Sequence, residues 1–420
     1  MFSTWGALTG LAIAIFLIIR KATPAYALVF GALAGGLLGG GSLSETVSAM
    51  ISGTQAMMPS VLRILTSGIL AGALVKTGSA ERIADSIVRL LGARFALVAI
   101  ALAAMIVTTV GVFVDIAVIT VAPVALAVGS RARLSIPALL LAMVGGGKAG
   151  NVISPNPNTI AAADAFRVDL TALMLKNVVP ALCALAVTVL LSAWLAKKCM
   201  AEGRSDGVAS ALDTRTKELP DILAAISGPA VVVALLALRP LCGLAVDPLV
   251  ALPAGGLVSI IVCGRWRRTA EYCEFGLSKV IGVSILLIGT GAVAGIVKNS
   301  GLNADMISLL NACHLPAFAL APLSSVLLSG ATASTTAGVT IASQTFSGAR
   351  AQAGIPALSA AAMLHAGGTI FDALPHGSFF HATAGAVGMS VKDRLKLFPY
   401  GTLVGATSTV VSVVVYLLGF

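Results

Sequence analysis

Apolar segments separated by short polar ones run along the whole chain. Trp5–Ile19, Phe95–Val110 and Gly401–Leu418 are examples, and many such segments approach the length of a bilayer crossing. A helix satisfies its own backbone hydrogen bonds, so in lipid this pattern favours spanning helices. We predict an all-α polytopic membrane protein with about 10–14 membrane segments, some of them re-entrant hairpins.

Two polar stretches interrupt this pattern at corresponding positions in the two halves of the chain. Gly145–Asp164 combines glycines and asparagines with Pro155 and Pro157, and Gly367–Ala384 is the second stretch. Proline lacks the N–H that a helix interior requires, so we predict that the helices are broken here. Broken backbone at membrane depth is tolerated where it is buried in protein or lines a wet cavity. The two breaks are therefore predicted to form the site.

Short sequence matches occur in the same order in both halves. Gly72–Gly78 corresponds to Gly295–Gly301, and Ser135–Leu139 corresponds to Gly354–Leu358. Internal duplication with interrupted helices is typical of secondary transporters whose site lies between the repeats. The predicted organisation is a first transmembrane repeat at 1–196, a cytoplasmic linker at 197–218 and a second transmembrane repeat at 219–420.

Charge is sparse and is placed as in a membrane protein. Charged residues make up 10% of the chain against 58% hydrophobic ones, and the net charge of +10 comes from basic residues clustered at the ends of apolar segments. The predicted interfacial helix Ser79–Leu91 carries arginines, whereas its predicted counterpart Leu302–Leu310 has neither Lys nor Arg. By the positive-inside rule the two repeats have inverted topology, with both termini periplasmic. This distribution argues against nucleic-acid binding.

The two broken stretches and one hairpin supply the candidate binding residues. Helix breaks aim backbone N–H groups into a cavity and favour an anionic ligand, and Lys148 adds a full positive charge. Uncharged hydroxyl and amide groups suit a hydroxylated substrate, although any single hydroxyl is as readily explained by a bond to its own helix. The predicted substrate-binding residues are Lys148, Asn151, Ser154, Asn156, Asn158, Thr159, Ser334, Thr335, Thr336, His376 and Ser378.

Three titratable residues are candidates for proton coupling: Asp115, Asp372 and His376. An imidazole changes charge within the physiological pH range, and Asp372 lies four residues before His376, where it could tune it. His376 could instead cap a helix. Asp115 lies in an apolar hairpin and is either a coupling acid or the counter-ion of Lys148 or Arg63; the sequence leaves these alternatives open.

The cysteines and histidines form no recognisable site. The six cysteines are scattered without a C-x-x-C pair, and the four histidines form no H-x-x-x-H pattern. These spacings indicate neither a zinc site nor a disulfide framework. No nucleophile–base pair has suitable spacing either, so we predict that the protein is not an enzyme and uses no metal or cofactor.

Several short motifs carry a family resemblance. They are Leu74–Ile83, Gly330–Ser334, Leu374–Gly377 and Gly388–Ser390. On these motifs the chain resembles the gluconate permease family of proton symporters, part of a wider ion-transporter superfamily. The pattern of Asp372 followed by Leu374–His376 is similar to the 3-hydroxybutyrate permease branch. Phe113–Asp115 departs from the aromatic-rich Phe-Glu segment of gluconate carriers.

The resemblance implies a secondary active transporter, a proton symporter that imports a small hydroxycarboxylate such as gluconate, a related sugar acid or 3-hydroxybutyrate. It also implies a multi-pass protein of the bacterial inner membrane, with the carboxylate, protons or Na⁺, and the lipid bilayer as partners. A sodium-coupled citrate or dicarboxylate transporter and a passive anion channel or facilitator are the alternatives. Assembly into a homodimer is left open.

Overall fold

The protein is built from helices in the part that the computed structural model describes. That part comprises residues 2–20, 22–201, 219–302, 305, 308, 312, 316–348, 354–375 and 377–419. Besides helices and turns, the described residues contain an isolated β-bridge between Phe2 and Ser300 but no strand. The prediction of an all-α protein is confirmed.

The helices are numbered in chain order. Those of the first half are α1 (Thr4–Ile19), α2 (Pro24–Leu38), α3 (Leu43–Gln55), α4 (Met58–Lys76), α5 (Ser79–Leu91), α6 (Ala96–Thr109), α7 (Val114–Arg131), α8 (Ile136–Asn151), α9 (Pro157–Phe166), α10 (Leu170–Lys176) and α11 (Val178–Ala201). Those of the second half are α12 (Ile222–Cys242), α13 (Pro248–Val262), α14 (Thr269–Lys298), α15 (Leu320–Thr332), α16 (Thr335–Phe346), α17 (Ala357–Gly367), α18 (Ser378–Ala386), α19 (Val391–Lys396) and α20 (Phe398–Leu417).

Several helices are long and apolar enough to cross a membrane. Among the described residues these are α4, α7, most of α11, and the segments Trp266–Lys298 and Val391–Leu417, which contain α14 and α20. Shorter apolar helices, including α1, α2, α6 and α13, accompany them. Lengths and compositions of this kind are those of a polytopic membrane protein.

The order of elements after α5 is repeated in the second half. Helices α6 and α7 follow each other as α15 and α16 do, the break between α8 and α9 matches that between α17 and α18, and a short and a long helix then end each half. Both breaks fall within the stretches predicted to be broken. The opposite orientation of the halves and their limits stay predictions. Of the predicted linker 197–218, everything after Ala201 lies outside the described residues, as does most of Leu302–Leu310.

Helix α14 is the longest described helix, and it contacts α2, α3, α4 and α16. The apolar pattern predicts a span at Lys279–Val297, but the helix begins at Thr269, because hydropathy marks the apolar part of a helix and not its ends. Gly276 packs against Gly68 and Gly72 of α4 so closely that a Cβ there would collide with backbone. Glycine contacts of this kind let membrane helices approach each other. These glycine contacts hold α14 against α4.

Candidate functional site

The first break separates α8 from α9, and its own residues shape it. Pro157 occupies the first turn of α9, where a missing N–H costs no helical hydrogen bond. Asn156 caps the helix: its Oδ1 accepts from the backbone N–H of Asn158 at 2.9 Å and of Thr159 at 3.1 Å. The sequence Asn-Pro-Asn-Thr therefore ends the break and starts α9 by local means.

Amide side chains then tie the two ends of this break together. Asn156 Nδ2 donates to the carbonyl oxygen of Asn151 at 2.8 Å and to its Oδ1 at 2.7 Å, and Asn158 Nδ2 donates to the same Oδ1 at 3.1 Å. Thr159 Oγ1 donates to the carbonyl oxygen of Ser154 at 2.6 Å. Because these contacts stay within the break, Asn156 and Thr159 hold its shape.

Lys148 lies on α8 one turn before the first break, and its side chain reaches the second. Its Nζ lies 2.6 Å from Asp372 Oδ1 and donates to the carbonyl oxygens of Thr369 at 2.7 Å and Gly401 at 3.1 Å. The Lys148 and Asp372 side chains are only 2% and 4% exposed. These three acceptors occupy the three donors of an ammonium group. Asp372 thus neutralises Lys148 in this structure, and the binding of a substrate by Lys148 stays a prediction.

The second break lies between α17 and α18 and is held by more distant residues. Asp372 accepts at Oδ2 from Thr335 Oγ1 at 2.7 Å, while its Oδ1 faces Lys148. Thr369 Oγ1 donates to the carbonyl oxygen of Ala366 at 2.8 Å. Asp372 thus connects the second break to α8 through Lys148 and to the tip of the α15–α16 hairpin through Thr335. His376 lies outside the described residues.

The tips of two hairpins complete the site. Asp115 lies in the first turn of α7, directly after the α6–α7 turn. Ser334 caps α16 by accepting from the backbone N–H of Ala337 at 3.2 Å, and the preceding Ala333 has a left-handed φ of 47°. Helix N-termini at both tips aim positive dipole ends and short polar side chains into the same space.

The two helix breaks and the tips of the α6–α7 and α15–α16 hairpins line a cavity of about 240 Å³. The predicted residues on its wall are Asp115, Asn151, Asn158, Ser334, Thr335, Thr336, Asp372 and Ser378. The predicted residues that do not line it are Lys148, Ser154, Asn156 and Thr159. The structure therefore brings together polar groups of both breaks at one cavity, and the binding of a substrate by any of these residues stays a prediction.

Lys279 of α14 also lines this cavity, and sequence reasoning missed it. It is exposed, and its Nζ lies 4.9 Å from the centroid of the Phe275 ring. Of the described residues on the cavity wall, it is the one with a cationic side chain. In the sequence, Lys279 stands at the start of an apolar segment. Lysines that determine membrane topology occupy the same position, so the sequence does not distinguish a cavity lysine from one of these.

Arg63 belongs to a separate ion-pair cluster. Its guanidinium pairs with Asp164 near the end of α9 and with Asp247, which caps α13, at 2.6 Å between Nη2 and Oδ2. Ser60 Oγ donates to Asp164 Oδ2 at 2.6 Å. The hydrogen bonds from Arg63 hold the pKa of Asp247 below its ordinary value. This cluster ties α4 to α9 and α13.

The two counter-ions considered for Asp115 are therefore engaged elsewhere: Lys148 with Asp372, and Arg63 with its own two carboxylates. Among the described residues, the cation that lines the same cavity as Asp115 is Lys279. Asp115 itself forms no ion pair with another described residue. The cavity thus holds one carboxyl group and one ammonium group that are not neutralised by the scaffold.

A model of the GntP family of permeases matches residues 4–419 of the chain. The chain belongs to the GntP permease family. It is 51% identical over 414 residues to an uncharacterized transporter of Haemophilus influenzae, with 99% of this chain and 98% of that protein covered. An uncharacterized permease of the same organism is 29% identical over 196 residues, covering 46% of this chain and 40% of that protein.

The fold of this GntP permease is also similar to a solved structure. The crystal structure of the YdaH transporter of Alcanivorax borkumensis, described as having an unusual topology, matches with a TM-score of 0.62. The match covers 90% of this chain and 89% of that one at 15% sequence identity. At this identity, the similarity shows a shared fold and does not indicate a shared function. The family match makes the chain a polytopic membrane transporter, and the solved structure supports its fold.

Proposed function

We propose that this GntP permease is a secondary active transporter that imports a small hydroxycarboxylate together with protons across the bacterial inner membrane. Gluconate, a related sugar acid and 3-hydroxybutyrate are the substrates expected. The observation that carries the proposal is the cavity between the two breaks, which combines one unneutralised cation, one unneutralised carboxyl group and several short polar side chains. A hydroxylated anion complements this combination.

Each part of the ligand has a candidate partner. Lys279 takes the carboxylate, since the charge of Lys148 is already neutralised. Asn158 Oδ1 is buried and accepts no hydrogen bond in the described part of the chain, so it suits a substrate hydroxyl donor. Ser334 and Thr336 add hydroxyl groups at the hairpin tip. Leaving a buried acceptor unpaired is costly, which favours ligands that carry a hydroxyl group over those without one.

We expect coupling to involve Asp115, because Asp115 and Lys279 line the same cavity. When Asp115 is ionised, its charge competes with a substrate carboxylate for Lys279. When Asp115 is protonated, the ammonium group is free to attract the anion. Proton binding and substrate binding therefore favour each other, and by linkage the effect is reciprocal. The expected role of His376 stays a prediction beside this one.

Uptake into proteoliposomes tests the proposal. Gluconate, 3-hydroxybutyrate and citrate are offered under an inward proton gradient, an inward Na⁺ gradient, or neither. We expect accumulation of a hydroxymonocarboxylate under the proton gradient. Accumulation that follows Na⁺ and ignores pH overturns proton coupling, and equilibration without accumulation under any gradient indicates a passive facilitator.

Asp115→Asn separates coupling from binding. The variant should still exchange labelled for unlabelled substrate across the membrane but should lose accumulation driven by pH. Asp221→Asn serves as the matched control, because Asp221 is exposed next to α12 and does not line the cavity. If the Asp115 variant accumulates substrate in response to pH as the parent does, coupling through Asp115 is wrong. His376→Gln is then the next variant to measure.

A further inference from the structure

A larger cavity, of about 440 Å³, lies at the far end of α14 from Lys279. Lys298 lines it, and 19 helical residues separate the two lysines, which corresponds to about 28 Å along the axis. Its wall comes from α3, α4, α9, α14 and α16, and the polar residues on it are Ser52, Ser60, Asp164, Arg167, Lys298, Asn299, Gln344, Thr345 and Ser347. The predicted topology places this end of α14 outside the cytoplasm.

Cations without partners dominate this outer cavity. Arg167 and Lys298 are both exposed, and neither forms an ion pair among the described residues. The one carboxylate on the wall, Asp164, is engaged by Arg63 and by Ser60. The local field is therefore positive, and an anion entering the cavity meets two uncommitted positive charges.

One further observation indicates a ligand rather than a solvated surface. Thr345 is 2% exposed, and its Oγ1 has no hydrogen-bond partner in the described structure. Buried hydroxyl groups are usually paired, so this one suits a ligand or a water that accompanies it.

The outer and inner cavities share three helices, α9, α14 and α16. Asn158 of α9 faces the inner cavity, and Asp164 of the same helix faces the outer one. Between them, the carbonyl oxygen of Ala161 accepts a long hydrogen bond, 3.5 Å, from Gln344 Nε2 of α16. Gln344 itself lines the outer cavity. This hydrogen bond therefore joins two of the helices that line both cavities.

We propose that the outer cavity is a second binding site for a small carboxylate, occupied before the anion reaches the cavity between the breaks. Arg167 and Lys298 bind the carboxylate group, and the Thr345 hydroxyl and the Gln344 amide contact the rest of the ligand. The identity of the ligand rests on the proposed function, because the anion is taken to be the transported one. Passage inward requires α9 and α16 to separate at Gln344.

Protection from a thiol reagent tests the outer site independently of transport. Ser347→Cys places one thiol on the wall of the outer cavity, in a protein whose six native cysteines are replaced by serine. Labelling by a membrane-impermeant methanethiosulfonate is followed in intact cells with and without gluconate. Ser44→Cys is the control, since Ser44 is exposed at the start of α3 and does not line the cavity.

Gluconate should slow the labelling at position 347 and leave the control at position 44 unchanged. Arg167→Gln and Lys298→Gln should each raise the half-protective concentration about tenfold, the effect of removing one charge-assisted hydrogen bond. Lys279→Gln should leave the protection intact. Absence of protection in a protein that accumulates gluconate overturns the outer site and leaves the proposed function standing. Protection in a protein that transports none of the three acids overturns the proposed function and leaves an anion site.

Discussion

The two helix breaks look alike in sequence but are held by different means. In the first, Asn156 and Asn158 bind Asn151, and every one of these contacts spans at most seven residues. In the second, Asp372 is held by Lys148 from the other half of the chain and by Thr335 from a neighbouring hairpin. The first break is shaped locally, whereas the second depends on the assembled protein.

The two breaks differ because only the second contains a buried charged side chain, that of Asp372. A break closed by amide groups is electrically neutral and needs no outside partner. A break that carries a buried carboxylate needs a cation, because an uncompensated buried charge is strongly destabilising. Lys148 supplies that cation and so connects the two halves of the chain. The ligand site then requires another cation, and Lys279 of α14 lies at the cavity.

The largest effect is expected from removing the cation of the second break. Lys148→Met leaves Asp372 buried and unpaired, which should cost about 3–5 kcal/mol and lower the thermal unfolding midpoint in detergent. The double variant Lys148→Met/Asp372→Leu should recover much of the loss, because an apolar pair replaces the ionic one. Thermal unfolding of the purified variants is the measurement.

Lys396→Met is the matched control for that experiment. Its ion pair with Asp393 is 53% and 51% exposed, and exposed pairs contribute about 0–1 kcal/mol. An unfolding midpoint of Lys148→Met as high as that of this control would show that the buried pair does not hold the second break.

The next largest effect concerns ligand affinity rather than stability. Lys279→Gln removes the unneutralised cation of the inner cavity, so the half-saturating substrate concentration for uptake should rise about 10- to 100-fold, as expected for about 1.5–3 kcal/mol. The unfolding midpoint should change little, since the side chain is exposed. Lys392→Gln, exposed on α19, is the control. Unaltered uptake kinetics in Lys279→Gln would remove this lysine from the site.

The fold was predictable because its signals are local. Apolar length indicates spanning helices, and Pro155 and Pro157 cannot sit in a regular helix interior, so the breaks follow directly. The hairpin hydroxyl groups were predictable for the same reason, since Ser334 stands at a helix start. Ser79–Leu91 was predicted as a helix with the bounds that the structure gives it.

The assignment of charges was not predictable, because it depends on contacts distant in sequence. Lys148 donates to a carbonyl oxygen 221 residues away, and no local sequence pattern predicts that contact. Lys279 lies ten residues inside α14, but hydropathy alone places it at a helix end. A lysine at the edge of an apolar segment has the same sequence context whether it faces a headgroup or a cavity.

A smaller effect should distinguish the two functions of Asn156 in the first break. Asn156→Asp keeps an acceptor for the amides of Asn158 and Thr159 but loses the donor to Asn151, at a cost of about 1–2 kcal/mol. Asn156→Ala loses both functions. Hydrogen exchange at the two amides should therefore stay slow in the Asp variant and become fast in the Ala variant. Equal exchange in both variants would show that the cap does not order the start of α9.

The smallest effect uses two neighbouring threonines at the tip of the α15–α16 hairpin. Thr335 donates to Asp372 at 2.7 Å, whereas Thr336 lines the cavity with no hydrogen bond to another described residue. Thr335→Val should lower stability by about 1 kcal/mol, the net value of one hydrogen bond, because a buried carboxylate oxygen loses its donor. Thr336→Val should leave the unfolding midpoint unchanged and raise the half-saturating concentration only for substrates with a hydroxyl group. Measuring both variants on 3-hydroxybutyrate and on butyrate separates the two functions, and the reverse pattern would mean that Thr336 anchors the break while Thr335 faces the ligand.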